Sequence, residues 1–384
     1  MKKQTLKHTL AVVLAAVTVT ASLSGCAVAT GDPGNAASNA ESGTGAEVSG
    51  SDSEAVTADT TEAAAASTDE VKVKPDNAKW TVTIPGNNGS LCNVPTFIAY
   101  EKGFLAEEGV DADLVSADYE AKKVGLNNGT MPIVNGDFMY FPSIEENLNI
   151  TVVDGIHRGC IRIQVLPDSD IASPEDLRGK TIACDEIGGT PYQIASLWLG
   201  QAGVKAIGDG AEVTFLPFTD DNLSVEALKK GEVDAIAIWD PVAAIVEKSG
   251  DVKTILDIGA DEPFSEHYCC YLYASTKVLE EDPAQIAAIL RAYRKAEDWI
   301  SKNPEEATAI IVDKGYVSIE DRDLALNLVK SYGYQSTEDF SSGKALDVEA
   351  DVLYFAQALY DVDYLKTSPD EYIKKAYTAV DLNQ

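Results

Sequence analysis

Apolar residues recur from about residue 79 onward in short runs that alternate with amphipathic stretches. The first run, Lys79–Pro85, is typical of a strand, and Pro95–Phe104 predicts the helix that follows it. Strands that alternate with helices imply a parallel sheet with helices on both faces. The first set also contains predicted strands at Asp111–Ser116, Met131–Val134 and Ile150–Asp154, and predicted helices at Tyr119–Leu126 and Phe141–Asn147.

A second set of elements repeats this alternation. Ser173 precedes Pro174 and the acidic Asp176, which is the pattern of a capped helix start. Gly231 and Gly250 each follow a predicted helix, as glycine commonly does at helix C-termini. The residues after Gly315 are expected to be mostly helical. The second set contains predicted strands at Thr181–Asp185, Glu212–Pro217, Asp234–Ile238 and Lys253–Asp257, and predicted helices at Pro191–Gln201, Ser224–Lys230, Pro241–Ser249, Asp282–Asn303 and Asn303–Gly315.

The two sets share the order of helix end, glycine, strand and polar or aromatic pair. In the first set the pair is Asp137-Phe138, and in the second it is Trp239-Asp240. Open α/β sheets bind ligands at the carboxyl ends of their strands. We therefore expect an α/β protein with two similar lobes, whose strand ends face one cleft.

The N-terminal segment predicts export and anchoring. Lysines precede an apolar stretch from Leu10 to Leu23, which is typical of a signal peptide and short for a membrane span. Leu23-Ser24-Gly25-Cys26 resembles a bacterial lipobox, which implies cleavage before Cys26 and a diacylglycerol on its sulfur. The alternative is an ordinary secreted protein. We expect residues 1–25 to be the signal peptide, residues 26–77 to be a disordered acidic tether, and the protein to sit on the extracytoplasmic face of the cell membrane.

The formal net charge is −32 at pH 7. A field of this sign argues against nucleic acid and against adhesion to anionic lipid, but it does not identify a ligand. Five cysteines remain after Cys26, and an odd number cannot pair fully within one chain. We interpret most of them as small buried apolar residues and expect no disulfide framework. They are Cys92, Cys160, Cys184, Cys269 and Cys270.

Three stretches carry a family resemblance. They are Pro95–Phe104, Ser173–Ala183 and Gly231–Pro241. They resemble the solute-binding proteins of nitrate/sulfonate/taurine-type ABC importers, which include binders of thiamine precursors. The resemblance implies a type II periplasmic-binding fold, with residues 78–157 and 270–384 in lobe I and residues 158–269 in lobe II. It also implies hinge closure around a small organic or oxyanion-type solute, delivery to an ABC permease with its ATPase, and a monomer.

The first candidate ligand residues lie between a predicted strand and a predicted helix. Gly188, Gly189, Thr190 and Tyr192 stand where free backbone N–H groups and a helix dipole favour an anion. The alternative is a tight turn without a ligand. Asp185 and Glu186, just upstream, would disfavour an anion if they point inward, so a neutral or zwitterionic ligand stays open.

Further candidates follow other strands. Asp240 could accept from an amine or cap the helix that follows, and Trp239 could stack on a planar or cationic group. The resemblance places a ligand loop at Ser90, Cys92 and Asn93, where Asn93 has the alternative role of a helix cap. Asp137 and Phe138 are the counterparts of Trp239 and Asp240 in lobe I.

Catalytic, metal and cofactor sites are not predicted. His157 is expected to pack or to donate one hydrogen bond to a ligand. A soft-metal site built from His157, His267, Cys160, Cys269 and Cys270 is a weaker alternative, because no local ligand spacing supports it. A solute receptor that converts no substrate is the leading interpretation. An enzyme on the same fold, related to pyrimidine-precursor synthases, and a sensory co-receptor are the alternatives.

Overall fold

The computed structural model describes residue 75, residues 77–86 and residues 89–384. The predicted signal peptide, Cys26 and nearly all of the predicted tether lie outside the described residues. Among these residues no helix has the length and apolar character that crossing a membrane requires. The strands are β1 (Trp80–Pro85), β2 (Val110–Val115), β3 (Ile133–Gly136), β4 (Ile150–His157), β5 (Ile161–Val165), β6 (Thr181–Cys184), β7 (Thr214–Pro217), β8 (Ala235–Trp239), β9 (Lys253–Asp257) and β10 (Cys270–Ser275).

Helices follow most strands and make up the C-terminal region. Side-chain caps begin several of them, such as Asp118 at α3, whose carboxylate accepts from the Ala121 N–H. The helices are α1 (Val94–Glu101), α2 (Phe104–Glu107), α3 (Tyr119–Asn128), α4 (Phe141–Glu145), α5 (Thr190–Gln201), α6 (Asp221–Lys229), α7 (Val242–Lys248), α8 (Thr276–Glu281), α9 (Pro283–Lys302), α10 (Pro304–Asp313), α11 (Arg322–Ser331), α12 (Thr337–Ser342), α13 (Val348–Asp361) and α14 (Pro369–Ala376).

The strands predicted for lobe I form two small sheets. β1 pairs with β2 in parallel, and β10 lies between β3 and β4 and is antiparallel to both. β3 and β4 therefore run in the same direction, as the sequence predicts, but the strand that joins them comes from far along the chain. The expectation of a purely parallel sheet is wrong here, because the returning strand fills the central position.

The strands predicted for lobe II form one five-stranded sheet in the order β7-β6-β8-β5-β9. β6 is parallel to β7 and β8, whereas β5 is antiparallel to β8 and β9. Apolar side chains of β6 and β8 are fully buried beneath α5, α6 and α7. The lobe boundaries themselves stay a prediction.

The chain passes from β4 to β5 in a tight turn at Arg158-Gly159-Cys160. Gly159 has a φ of 78° and Cys160 has a φ of 93°, both in the left-handed region. The return path lies beside this turn, because the Cys269 N–H donates to the His157 carbonyl at 2.9 Å. The Asp240 N–H donates to the Cys160 carbonyl at 2.8 Å, so the end of β8 also meets the turn.

Helix α13 contacts elements of both predicted lobes. It packs on β4 and on α5, and its Phe355 is fully buried against the ring of Phe138. The next segment continues this contact, because the Tyr364 hydroxyl donates to the Gly188 carbonyl at 3.0 Å. The C-terminal region, which the sequence predicts only as mostly helical, thus packs across both parts of the protein.

Candidate functional site

A cleft of about 660 Å³ lies at the strand ends. This volume is within the range of small-molecule sites. Its walls come largely from the segments that follow β1, β2, β3, β6, β7 and β8, in keeping with the rule that ligands bind at the carboxyl ends of strands. The cleft is lined by polar, acidic and aromatic side chains, among them Ser90, Cys92, Asn93, Asp118, Tyr119, Lys122, Asp137, Tyr140, Asp185, Glu186, Asp221, Trp239, Asp240 and Cys270.

The lining of the cleft is rich in acidic side chains. Among the described residues that line it, six are carboxylic acids and one, Lys122, is a base. Burial lowers the pKa of Lys122, although nearby acids such as Asp137 raise it. A small anion would therefore meet mainly like charge. The acids are Asp118, Asp137, Asp185, Glu186, Asp221 and Asp240.

Two of these acids, Asp137 and Asp240, are buried, and two, Asp185 and Asp221, are half-buried. Burial raises the pKa of Asp137, Asp185 and Asp221 to about 7 and that of Asp240 to about 6. Asp185 Oδ1 is buried and has no hydrogen-bond partner among the described residues. A buried acceptor without a donor is unfavourable. Asp185 is therefore ready to accept from a bound donor group.

Asp240 differs from the other acids because a base faces it. Arg162 Nη1 lies 2.5 Å from Asp240 Oδ1, and Arg162 Nε lies 3.0 Å from Asp257 Oδ2. Arg162 is held by these acids behind the end of β8 and does not line the cleft. The neighbouring Trp239 is half-buried in the wall of the cleft. Its backbone N–H donates to Asp221 Oδ2 at 3.3 Å.

Asp137 joins the two sides of the cleft. Its Oδ1 accepts from the Met139 N–H at 3.0 Å and from the Thr190 hydroxyl at 2.5 Å. Thr190 is the first residue of α5 and is fully buried. This hydrogen bond connects the end of β3 to the start of α5.

The predicted anion loop is packed into the protein. The Gly188 carbonyl accepts from Tyr364 and from Gln193 Nε2, and a Cβ on Gly189 would lie 2.5 Å from Asp185 Oδ1. A carboxyl therefore stands where an anion would approach. Tyr192 packs edge-on against Phe215.

The predicted site residues divide into two groups. Ser90, Cys92, Asn93, Asp137, Trp239 and Asp240 line the cleft. The others are placed outside its lining: Phe138, His157, Gly188, Gly189, Thr190 and Tyr192. A solute contact by any of them stays a prediction. Sequence reasoning did not select Asp221, Tyr119, Lys122 or Tyr140, although Asp221 begins the helix after β7 and the strand-end rule could have found it.

Three thiols and one imidazole meet beneath the cleft, at the turn between β4 and β5. Their ligand atoms all lie within 4.8 Å of one another, and all four side chains are buried. Burial opposes ionisation of Cys270, but hydrogen bonds from the neighbouring thiols lower its pKa well below the usual range. We call this group the crossover cluster; its members are Cys92, His157, Cys160 and Cys270.

The crossover cluster differs from the set that the sequence suggested. Cys92 joins it from the 3-10 turn Leu91–Asn93 before α1, whereas His267 is directed elsewhere and its Nδ1 lies 2.6 Å from Asp351 Oδ1. Cys269 lies beside the cluster, with its Sγ 2.7 Å from that of Cys160. All five described cysteines are buried, which the sequence predicts for most of them.

Comparison with known proteins gives a family and a fold. The family model described as NMT1/THI5 like matches residues 93–307, which is more than half of the chain. A Brucella abortus protein whose name calls it a binding protein is 23% identical over 235 residues, 59% of this chain and 70% of that protein. The formylaminopyrimidine-binding protein of Halalkalibacterium halodurans is 24% identical over 225 residues, 56% of this chain and 64% of that protein.

Solved structures confirm the predicted fold class. The aliphatic sulphonate binding protein SsuA of Escherichia coli matches with a TM-score of 0.60 at 18% identity, over 78% of this chain and 92% of that one. The nitrate-binding protein NrtA of Synechocystis PCC 6803 matches with a TM-score of 0.61 at 15% identity, over 79% and 87%. The two-lobed periplasmic-binding fold is therefore established.

Proposed function

Because the chain belongs to the NMT1/THI5-like family, we propose that it is a lipid-anchored extracytoplasmic receptor that captures a small solute by hinge closure and delivers it to an ABC importer. Its relatives named above are binding proteins. In this proposal the chain acts as a monomer, converts no substrate, and has a permease and its ATPase as partners.

The acidic side chains of the cleft indicate the chemical class of the solute. Six acids face one lysine, so the site favours a solute that donates hydrogen bonds or bears positive charge over an oxyanion. Aromatic side chains that line the same cleft, Trp239, Tyr119 and Tyr140, suit a planar group. We therefore narrow the solute to a planar, nitrogen-rich organic molecule. An aminopyrimidine, as in the name of the Halalkalibacterium relative, has this chemistry.

Calorimetry with three probes tests the solute class. Formylaminopyrimidine, an alkanesulfonate and nitrate are titrated separately into the full chain. The proposal expects the aminopyrimidine to bind at least tenfold more tightly than either anion, a difference of about 1.4 kcal/mol. Tighter binding of the sulfonate or nitrate would contradict it. Recovery of a chemically altered pyrimidine would identify an enzyme instead.

A matched pair of variants locates the binding site. Asp185→Asn removes the negative charge of a carboxylate that lines the cleft and replaces one of its two acceptor oxygens with a donor, and we expect it to weaken aminopyrimidine binding at least tenfold. Asp209→Asn changes an exposed acid outside the cleft and should leave binding unchanged. Equal affinity of both variants would remove the cleft as the site.

The lipid anchor has its own test, because it rests on Leu23-Ser24-Gly25-Cys26 alone. Cys26→Ser should move the protein from the membrane fraction to the soluble fraction, since two acyl chains hold a protein stably at a bilayer. Fractionation followed by immunoblotting measures this. Continued membrane association of the variant would contradict the anchor.

A further inference from the structure

We propose that the crossover cluster is a closed four-ligand site for a thiophilic cation of the zinc type. This inference goes beyond the proposed function and does not depend on it. Three thiols and one imidazole are a ligand set that structural zinc sites use. The four come from three separate stretches of chain: the turn before α1, the end of β4 with the turn that follows it, and the start of β10.

The distances fit one ion. In a tetrahedral zinc site the metal–sulfur bonds are about 2.3 Å, so two sulfur ligands stand about 3.8 Å apart. All four ligand atoms of the cluster lie within 4.8 Å of one another. A contraction of about 1 Å or less between the widest pair would bring them onto such an ion.

The histidine is oriented for ligation. His157 Nδ1 lies 3.2 Å from the Arg158 carbonyl, which favours the tautomer with hydrogen on Nδ1 and a lone pair on Nε2. His157 Nε2 is buried and has no hydrogen-bond partner among the described residues. The ring is stacked on Tyr332 with centroids 4.5 Å apart, which fixes its plane. A metal would satisfy this nitrogen.

The backbone at Cys160 is the second sign of a built site. Its φ of 93° is a conformation that glycine adopts and that other residues rarely do. Gly159 beside it has positive φ as well, so the turn places a side chain where a glycine would be the ordinary choice. The side chain retained there is a thiol that points into the cluster.

The crossover cluster is buried and borders the cleft at two of its cysteines. His157 is fully buried and the three thiols are at most 7% exposed. Four protein ligands occupy every tetrahedral position, which is typical of structural sites rather than catalytic ones. Cys92 and Cys270 line the floor of the cleft, so an ion would reach the cluster from there.

Loading with Co²⁺ tests the proposal. The full chain is prepared without oxygen in the presence of reductant, stripped with a chelator, and titrated with Co²⁺. We expect one ion per chain, visible bands of tetrahedral Co²⁺, sulfur-to-cobalt charge transfer in the near ultraviolet, and displacement by Zn²⁺. Elemental analysis of protein before stripping should find zinc.

Substitutions distinguish the proposed metal ligands from a buried cysteine outside the cluster. His157→Asn and Cys160→Ser should each weaken Co²⁺ binding at least tenfold, with the charge-transfer band lowered for Cys160→Ser. Cys184→Ser changes a buried thiol outside the cluster and should bind as wild type does. Cys92→Ser provides a further ligand variant if Cys160→Ser does not fold, as judged by circular dichroism.

Cys269→Ser distinguishes the metal site from a disulfide. Cys269 Sγ is close to Cys160 Sγ, so those two thiols could instead form a pair. The proposal expects Cys269→Ser to keep the Co²⁺ bands and the stoichiometry of one. Loss of those bands in Cys269→Ser, unchanged bands in Cys160→Ser, or Co²⁺ bound without sulfur charge transfer would each overturn it.

Discussion

His157 and His267 are both stacked on tyrosines, yet their nitrogens meet different surroundings. His157 lies on Tyr332 at 4.5 Å between centroids, and His267 lies on Tyr354 at 3.8 Å, both nearly parallel. His267 Nδ1 lies 2.6 Å from Asp351. His157 faces the thiols of the crossover cluster, and its Nε2 has no hydrogen-bond partner among the described residues.

The difference shows where the chain satisfies its own buried polar groups and where it does not. Asp351 accepts from His267, from the Tyr271 hydroxyl at 2.5 Å and from the Tyr268 N–H at 3.3 Å. Such a network stabilises the packing of α13 on β10. Asp185 Oδ1 in the cleft and His157 Nε2 in the crossover cluster have no partner among the described residues, as is also true of several buried atoms elsewhere, such as the Tyr268 hydroxyl.

The largest expected effect is the loss of Asp351. Asp351→Ala leaves the buried Tyr271 hydroxyl, the Tyr268 N–H and the half-buried His267 ring without their acceptor, and we expect the free energy of unfolding to fall by about 3–5 kcal/mol. Urea denaturation followed by circular dichroism measures it. Asp361→Ala, an exposed position on the same helix, should change stability by less than about 0.5 kcal/mol. A loss below about 1 kcal/mol at Asp351 would mean that the two histidine regions do not differ as described.

Replacing each histidine with phenylalanine sharpens the comparison directly. In metal-free protein His267→Phe should cost about 2 kcal/mol, because it removes the partner of a buried carboxylate. His157→Phe should cost less than about 1 kcal/mol, since the aromatic stack on Tyr332 is kept and the unpartnered nitrogen is removed. Urea denaturation in the presence of a chelator compares them. The reverse order would show that His157 is already satisfied within the chain.

The acidic side chains of the cleft make the stability of the protein depend on pH. The folded-state pKa values of Asp137, Asp185 and Asp221 are about 7, raised from 3.8 by burial. The folded state therefore binds more protons than the unfolded state between these values. The free energy of unfolding should therefore fall as pH rises from about 5.5 to about 8, by up to about 2 kcal/mol for each of these carboxyls.

Urea midpoints across this range, with ionic strength held constant, measure the change. The double variant Asp185→Asn/Asp221→Asn should show a flatter profile than wild type, because two of the groups no longer titrate. An equally steep profile would show that other groups, not the cleft acids, set the pH dependence.

The smallest expected effect concerns Asp137, which accepts a hydrogen bond from a side chain across the cleft. Thr190→Val removes the hydrogen bond to Asp137, and we expect a loss of about 1 kcal/mol in the free energy of unfolding. Thr214→Val, at an exposed position of β7, is the control and should be nearly neutral. Equal stability of the two variants would place Asp137 with the unsatisfied acids.

Most of the fold could be predicted from hydrophobic alternation and helix caps. β6 and β8, for example, lie within a residue or two of the predicted strands. Some of the cleft residues could also be predicted, because Asp137, Trp239 and Asp240 stand at the ends of predicted strands. The position of β10 could not be predicted, because no local pattern says which strands a distant segment will join.

The crossover cluster was equally beyond local reasoning. Cys92 is far in sequence from Cys160, and no spacing pattern links them. The sequence suggested His267 as a ligand because it lies near Cys269, but α13 brings Asp351 to it instead. Helix α13 belongs to the C-terminal region, whose packing partners the sequence did not indicate.

The place of β10 between β3 and β4 has a consequence for how the chain matures. β3 and β4 have no direct pairing with each other, so both wait for a strand that is made more than a hundred residues later. During synthesis the early strands therefore have no sheet to enter, and closing so long a loop is slow. A nascent chain that stops before Cys270 holds β3 and β4 as unpaired edges, exposed to whatever else can pair with them.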